Sequence, residues 1–198
     1  MENSKKMTTS VIKEVFIGED MAELIGIMLG DGNMYENQIK IFLDNREKAY
    51  AEHVKNLVKD LTGIELKGTI VKETNCLKLY CCNKFLAEKL IEFGLKRGSK
   101  IKSQEGIPKW IKENKEYSKR CIKGLVDTDG CIIFCKRDKQ RSINFSNHNL
   151  ILLEDFKEVA KNLGYNFAKA NRWNTRLYRK AEVVRFINDI KPFKAMGM

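Results

Sequence analysis

The chain has 198 residues, with 37 Lys and Arg against 26 Asp and Glu, which gives a formal charge of +11, a pI near 9.3 and a mean hydropathy of −0.41. Hydrophobic residues at 43% and only 2 prolines exclude a disordered chain, and charged residues at 32% argue against a membrane protein. No run approaches the roughly 18 apolar residues of a spanning helix, and the opening MENSKKMTTSVIKEV lacks the apolar stretch of a signal peptide. The expectation is a protein of the cytoplasm, or of an organellar matrix if encoded there, that is not secreted and meets no membrane.

Taken in chain order, the spacing predicts a helix from Asp20 to Gly30, with Asp20 as N-cap and Glu23 as its reciprocal partner. Gln38 to Leu43 alternates strictly, with Ile39, Ile41 and Leu43 on one face, which predicts a half-buried strand preceded by a hairpin partner. Residues 46–62 read as an amphipathic helix closed by Gly63, 65–72 and 76–82 as a strand pair, and 84–93 as a helix ending at Gly94. A connector over 96–120 follows. It sets nine basic residues against Glu105, Glu113 and Glu116, with a short helical turn around Trp110.

The same order then returns: a helix at 118–129, strands at 131–137 and 141–146, a helix at 149–162, strands at 166–172 and 175–179, and a helix at 181–189. The expected organisation is a first half at 15–95, a basic linker at 96–117 and a second half at 118–198. The halves register residue by residue. ELIGIMLGDG (23–32) lies over CIKGLVDTDG (121–130) at an offset of 98, and Leu95-Lys96 lies over Phe193-Lys194 at the same offset. IKIFLDN (39–45) lies over RSINFSN (141–147) at an offset of 102. Helices and antiparallel strand pairs repeated in this way predict an α+β fold of two pseudo-twofold related αββαββα halves, each with a four-stranded antiparallel sheet.

Six cysteines include no CxxC pair, and His53 and His148 stand in no ligand spacing, which argues against zinc and for thiols in a reducing compartment. The basic excess points instead to a polyanion partner, nucleic acid first. Trp110 and Trp173 read as packing residues.

Small residues four apart place Gly26 and Gly30 on one helix face, and Gly124 and Thr128 on the matching face of its repeat, the pattern of helices that approach backbone to backbone. Asp31 and Asp129 then stand at the C-terminal ends of those helices, where the dipole disfavours an acid by about 0.3–1 kcal/mol unless a cation is bound. Two such acids meeting at the pseudo-twofold, with the last helix carbonyls at Gly30 and Thr128, suit a hard divalent ion such as Mg²⁺. Metals held there can activate a water and stabilise the leaving oxygen in phosphodiester hydrolysis.

At LIGIMLGDG (24–32) and IKGLVDTDG (122–130) the sequence resembles the LAGLIDADG homing endonucleases in their single-chain form with two motifs, and the IPKWI linker (107–111) extends the likeness. The resemblance implies sheets that form a saddle over double-stranded DNA, one active site where the motif helices meet, and hydrolysis of both strands of a long, asymmetric target. It implies Asp31 and Asp129 as catalytic, metal-binding acids, and Lys96 and Lys194 as lysines at the scissile phosphates. Asp44 and Asn45, repeated as Ser146 and Asn147, stand where the family orders active-site water, although Asp44 departs from the usual amide or hydroxyl. Asp127, opposite Leu29 in the repeat, reads as structural. The implied cofactor is Mg²⁺ or Mn²⁺, with Ca²⁺ supporting binding but not cleavage.

Base reading falls to outward strand residues. The candidates are Tyr35, Asn37, Gln38, Lys40, Lys67, Lys78 and Tyr80, then Lys136, Ser142, Asn144, Lys169, Arg172, Arg176 and Tyr178. Because one chain supplies both halves, the expectation is a monomer without an obligate protein partner. Two other readings stand beside the endonuclease: a binding protein of the same fold without cleavage, either an intron RNA maturase or a transcription factor, and an unrelated basic nucleic-acid-binding domain. A chain that starts MENSKK and finishes KAMGM shows no terminal His-Asn, so a freestanding or intron-encoded protein is expected over an excised intein domain.

Overall fold

The computed structural model describes residues 16–136 and 140–195. The expected strand end at 137 and the outermost residues of both halves lie outside these. The first half runs α1 (Glu19–Gly30), β1 (Gly32–Tyr35), β2 (Gln38–Asp44), α2 (Lys48–Thr62), β3 (Lys67–Val71), β4 (Cys76–Cys82) and α3 (Lys84–Glu92). Two short helical turns follow, α4 (Lys100–Ser103) and α5 (Lys109–Lys112). The second half repeats the pattern as α6 (Lys115–Asp129), β5 (Gly130–Cys135), β6 (Gln140–Ser146), α7 (Leu150–Asn162), β7 (Ala168–Asn171), β8 (Asn174–Leu177) and α8 (Lys180–Ile190), then a 3₁₀ turn at Phe193–Ala195. Each half holds a four-stranded antiparallel sheet, ordered β1-β2-β4-β3 and β5-β6-β8-β7.

The fold is α+β and twofold-repeated, as the residue register implies. In β2 the apolar positions Ile39, Ile41 and Leu43 are buried while Gln38 and Phe42 are exposed, so alternation sets one sheet face on the core. α1 and α6 differ from surface helices. Met21 through Leu29 are buried without interruption, and so are Cys121 through Thr128, because each helix lies between its own sheet and the other helix. One apolar cluster spans both halves.

Glycine brings the two helices together. A Cβ at Gly124 would lie 2.5 Å from the Glu23 carbonyl oxygen and 2.9 Å from the Ile27 nitrogen, and one at Gly26 would overlap the Cys121 carbonyl. The backbones are therefore in contact at both positions. Local signals place the other helix ends: α2 closes on Gly63 at φ 74°, and Asn83, Asn114 and Asn149 cap α3, α6 and α7 through their side-chain oxygens. The sequence reading errs at the start of α1. Gly18 is the N-cap and makes no side-chain bond, Asp20 lies within the helix and pairs with Arg120, and Glu23 turns inward instead of back to the helix start.

Candidate active site at the helix seam

The C-terminal ends of α1 and α6 meet. A Cβ at Gly30 would overlap the Thr128 side chain and lie 3.4 Å from Asp129 Oδ2, so the two acids share one small volume. Asp31 is the C-cap of α1; its amide donates to the Ile27 carbonyl at 3.0 Å, and its carbonyl accepts from the Phe42 amide at 3.1 Å. Asp129 is the last residue of α6.

Each helix end is met by an ammonium group. Lys194 Nζ donates to the Thr128 and Gly130 carbonyls, both at 2.9 Å. At the other end it is Lys100 that donates, to Met28 O at 3.2 Å, Leu29 O at 3.0 Å and Gly30 O. These cations satisfy carbonyls that a helix end leaves unpaired and oppose the negative pole of its dipole. Lys96, the expected partner of Lys194, stays exposed and donates to Ser103 O at 3.3 Å. Gly98, at φ 95° with its amide bonded to Met34 O, turns the chain between them, so the lysine that arrives is four residues further on.

Burial, reinforced by the negative charge of Asp129, pushes the Asp31 carboxyl up to about 7 despite the opposing Lys100 and Lys194. Burial also raises Asp129, against the pull of Lys100, of a hydrogen bond from Asn147 and of Lys194. Lys100 is lowered by its own burial. Two carboxyls that resist ionisation together form a site short of positive charge, and hard oxygen donors suit a divalent cation. Asp31 and Asp129 could hold one. The carbonyls of Gly30 and Thr128, expected as ligands, are occupied by the two ammonium groups. Among the described residues no cluster of three or more His, Cys, Asp or Glu side chains gathers to hold a metal.

Of the expected water-ordering residues, Asn147 alone reaches an acid: its Nδ2 donates to Asp129 Oδ2 at 2.7 Å. Asn45 turns away and donates to Asn75 Oδ1 at 3.1 Å. Asp44 accepts from Arg46 Nη2 at 2.6 Å, and that guanidinium holds the carboxyl down to about 2, while Ser146 is exposed at the end of β6.

Beneath the site runs a buried charge network that periodicity does not reveal. Lys123 Nζ lies 2.5 Å from Glu23 Oε1 and 3.2 Å from Asp127 Oδ2, His53 Nε2 lies 2.6 Å from Glu23 Oε1, and Arg120 Nη1 lies 2.9 Å from Glu23 Oε2. Asp127 Oδ1 then accepts the backbone amide of Lys194 at 3.2 Å. The segments that carry the two site lysines rest on the opposite half. Asn149 Nδ2 donates to Glu105 O at 2.6 Å and Asp155 Oδ2 accepts the Ile107 amide at 2.7 Å, while Phe193 packs 5.4 Å from Tyr50 and 5.6 Å from His53 between ring centres.

On the first sheet the outward side chains form rows: Asn33, Lys40, Tyr80 and Lys67 are successive cross-strand neighbours, as are Tyr35, Gln38 and Cys82, and Phe42, Lys78 and Thr69. Gln38, Lys40, Lys67, Lys78 and Tyr80 line a groove of about 860 Å³. Alternation back from Tyr35 would have added Asn33, and Asn37 lies in the β1–β2 turn. On the second sheet Asn144 pairs with Arg176 across the strands, and its Oδ1 accepts from Arg176 Nε at 2.7 Å, so Asn144 orients the arginine and is itself buried. Ser142 and Tyr178 are outward, with Lys136 in the turn after β5. Lys169 departs from the expectation: it pairs with the buried Thr175 at the edge, off the Arg176 row. Trp173 is 42% exposed, with Arg172 over its ring, so it is not a core residue as expected, whereas Trp110 is packed and donates to Phe93 O.

Residues 105–191 match the model of a LAGLIDADG-like domain. The fold is similar to that of the homing endonuclease I-DmoI in complex with DNA and Mn, with a TM-score of 0.56 and 20% identity over 87% of this chain and 96% of that one. It is also similar to full-length DUF199/WhiA from Thermatoga maritima, with a TM-score of 0.62 and 14% identity over 89% of this chain and 57% of that one. Among curated proteins, the ribonucleoside-diphosphate reductase NrdEB subunit alpha of Bacillus subtilis is 25% identical over 158 residues, 73% of this chain and 14% of that protein. The tRNA-splicing ligase RtcB of Methanopyrus kandleri is 24% identical over 154 residues, 68% and 15% of the two. The chain thus spans about one seventh of the curated relatives it matches.

Proposed function

We propose that this chain is a site-specific endonuclease of the LAGLIDADG family that hydrolyses both strands of a long DNA duplex with the help of divalent metal ions. The observation that carries the reading is the meeting of Asp31 and Asp129 at one seam between two sheets with basic outward faces, with Lys100 Nζ on the carbonyls that end α1 and Lys194 Nζ on those that end α6. Similarity of the fold to a DNA-bound endonuclease supports it.

Asp31 and Asp129 would hold Mg²⁺ or Mn²⁺, which when bound supplies a polarised water and neutralises charge on the leaving oxygen. Asn147 orients Asp129. Lys100 and Lys194 are released from helix carbonyls toward the scissile phosphates, where an ammonium offsets the charge that builds on phosphate oxygen as water oxygen bonds to phosphorus and the phosphodiester P–O bond breaks. Outward Lys, Arg and Tyr side chains hold the phosphates and read base edges, and the chain acts as a monomer.

One alternative stands beside it, a nucleic-acid-binding protein of the same fold that does not cleave. Selection of cleaved sequences from a randomised duplex library in Mg²⁺ separates the two. The endonuclease reading expects recovery of one long motif, lost with Asp31→Asn or Asp129→Asn while binding persists in Ca²⁺. Binding of a selected motif without any cut in Mg²⁺ or Mn²⁺ overturns it in favour of the binding protein.

A further inference from the structure

The two half-sites are not equivalent. Asn147 Oδ1 accepts the Asn149 amide at 2.7 Å, which fixes the side-chain amide so that Nδ2 must face Asp129. The main chain of Lys194 is tied to Asp127 Oδ1, and Asp127 is itself buried and held by Lys123. Among the described residues neither brace is repeated in the first half. Asn45 is committed to Asn75 and Lys48, Leu29 stands at the repeat position of Asp127, and among the described residues no side chain donates to the Asp31 carboxylate. The main chain at Lys100 is held through its carbonyl by Asn149 at 3.4 Å.

We infer that Asn147 and Asp127 are positioning residues that pre-set the second half-site, so that the DNA strand it serves is cut first and a nick of one defined polarity precedes the double-strand break. The inference rests on the endonuclease reading. A carboxylate already aimed by an amide donor, beside a lysine whose backbone amide is tied to its own helix, needs less rearrangement to reach productive geometry than a carboxylate without that donor beside a lysine held only from the other half. The braces come from residues whose repeat counterparts have different partners or no polar atom, so the asymmetry is built into the chain before any DNA asymmetry acts.

The test uses the full chain and a duplex carrying its selected target, with each strand labelled separately, in Mg²⁺. Wild type is expected to nick one strand first. Asn147→Ala is expected to slow that strand by about 10–100-fold, as loss of an outer partner of a metal-binding carboxylate does, and to leave the other within about twofold. Asn45→Ala changes neither strand. Asp127→Leu, which installs the first half's residue, slows the same strand as Asn147→Ala, whereas Asp127→Asn keeps the Oδ1 acceptor and restores it.

A second readout needs no turnover. In calorimetric titration of Ca²⁺ into the protein–duplex complex, Asn147→Ala weakens the tighter Ca²⁺ site by about tenfold or more and Asn45→Ala does not. Wild-type affinity for the duplex in Ca²⁺ checks that each variant is folded. Equal nicking of the two strands by wild type, or equal slowing of both by Asn147→Ala, overturns the inference and leaves the endonuclease standing. Absence of any cut by wild type removes both.

Discussion

If Asp31 holds a metal, function and stability pull in opposite directions there, and Asp31→Asn measures by how much. Burial and the neighbouring Asp129 raise its carboxyl to about 7 in the fold, against about 3.9 in an unfolded chain. The folded state therefore binds this proton more tightly than the unfolded state does. Below about pH 4 both states are protonated and the residue is neutral to stability; as pH rises toward 7 the unfolded chain ionises freely and the fold does not, so stability falls. The gap corresponds to at most about 4 kcal/mol at pH 7, and solvent access at the seam reduces the expected loss to about 1–3 kcal/mol. Asparagine keeps the size and removes the charge. In urea denaturation with EDTA, Asp31→Asn should match wild type near pH 4 and exceed it by about 1–3 kcal/mol at pH 7.5. Added Mn²⁺ should stabilise wild type at pH 7.5 and not the variant. A variant that shows no gain at pH 7.5, or gains more in acid, refutes the reading of this carboxyl as a strained, cation-seeking group.

Replacing Lys123 with Met leaves Glu23 and Asp127 buried without their shared cation and should cost about 3–5 kcal/mol, read from denaturation midpoints. Gly124→Leu should cost several kcal/mol by forcing apart the backbones of α1 and α6, with light scattering reporting a monomer for the parent chain. Lys100→Met should slow DNA cleavage at least about tenfold, while Lys96→Met leaves the rate within about twofold. The logarithm of affinity against the logarithm of salt should fall with a slope near −7 for about eight phosphate contacts; Lys102→Ala should flatten it by about one, and Arg176→Ala should relax preference at one base pair by about 1–3 kcal/mol.

The features legible in the sequence were those set by short-range periodicity. Alternation in β2 and the glycines after α2, α3 and α7, each at positive φ, fixed strand faces and helix ends because their causes lie within a few residues. The repeat located Asp31 and Asp129 because both close helices of the same register. Long-range partners were not legible. Glu23 resembles a capping residue until Lys123, Arg120 and His53, brought from other helices, draw it inward. An equal offset pointed to Lys96 because it assumes equal paths after α3 and α8; the chain takes a longer turn through Gly98 in the first case, whereas Pro192 leads directly into the 3₁₀ turn in the second. The family resemblance places Asn147 at the site together with its repeat counterpart Asn45, yet its direct bond to Asp129 and the turning away of Asn45 depend on neighbours that the repeat does not preserve.

The crossing of the lysine-bearing segments limits how such a molecule can be rebuilt. Lys100 reaches α1 from a stretch pinned to the second half by Asn149 and Asp155, and Lys194 reaches α6 from a turn seated on Tyr50 and His53 of the first. Each half thus holds the other's cation in place. A hybrid that joins either half to a foreign mate would keep its own acid and its own sheet but would lose the opposite-half surface on which its lysine segment rests, with Asp127 still holding the Lys194 amide from its own half. Exchange of halves therefore requires that Asn149, Asp155, Tyr50 and His53 travel with the segments they support, so the heritable unit of this fold is the interlocked pair and not the repeat.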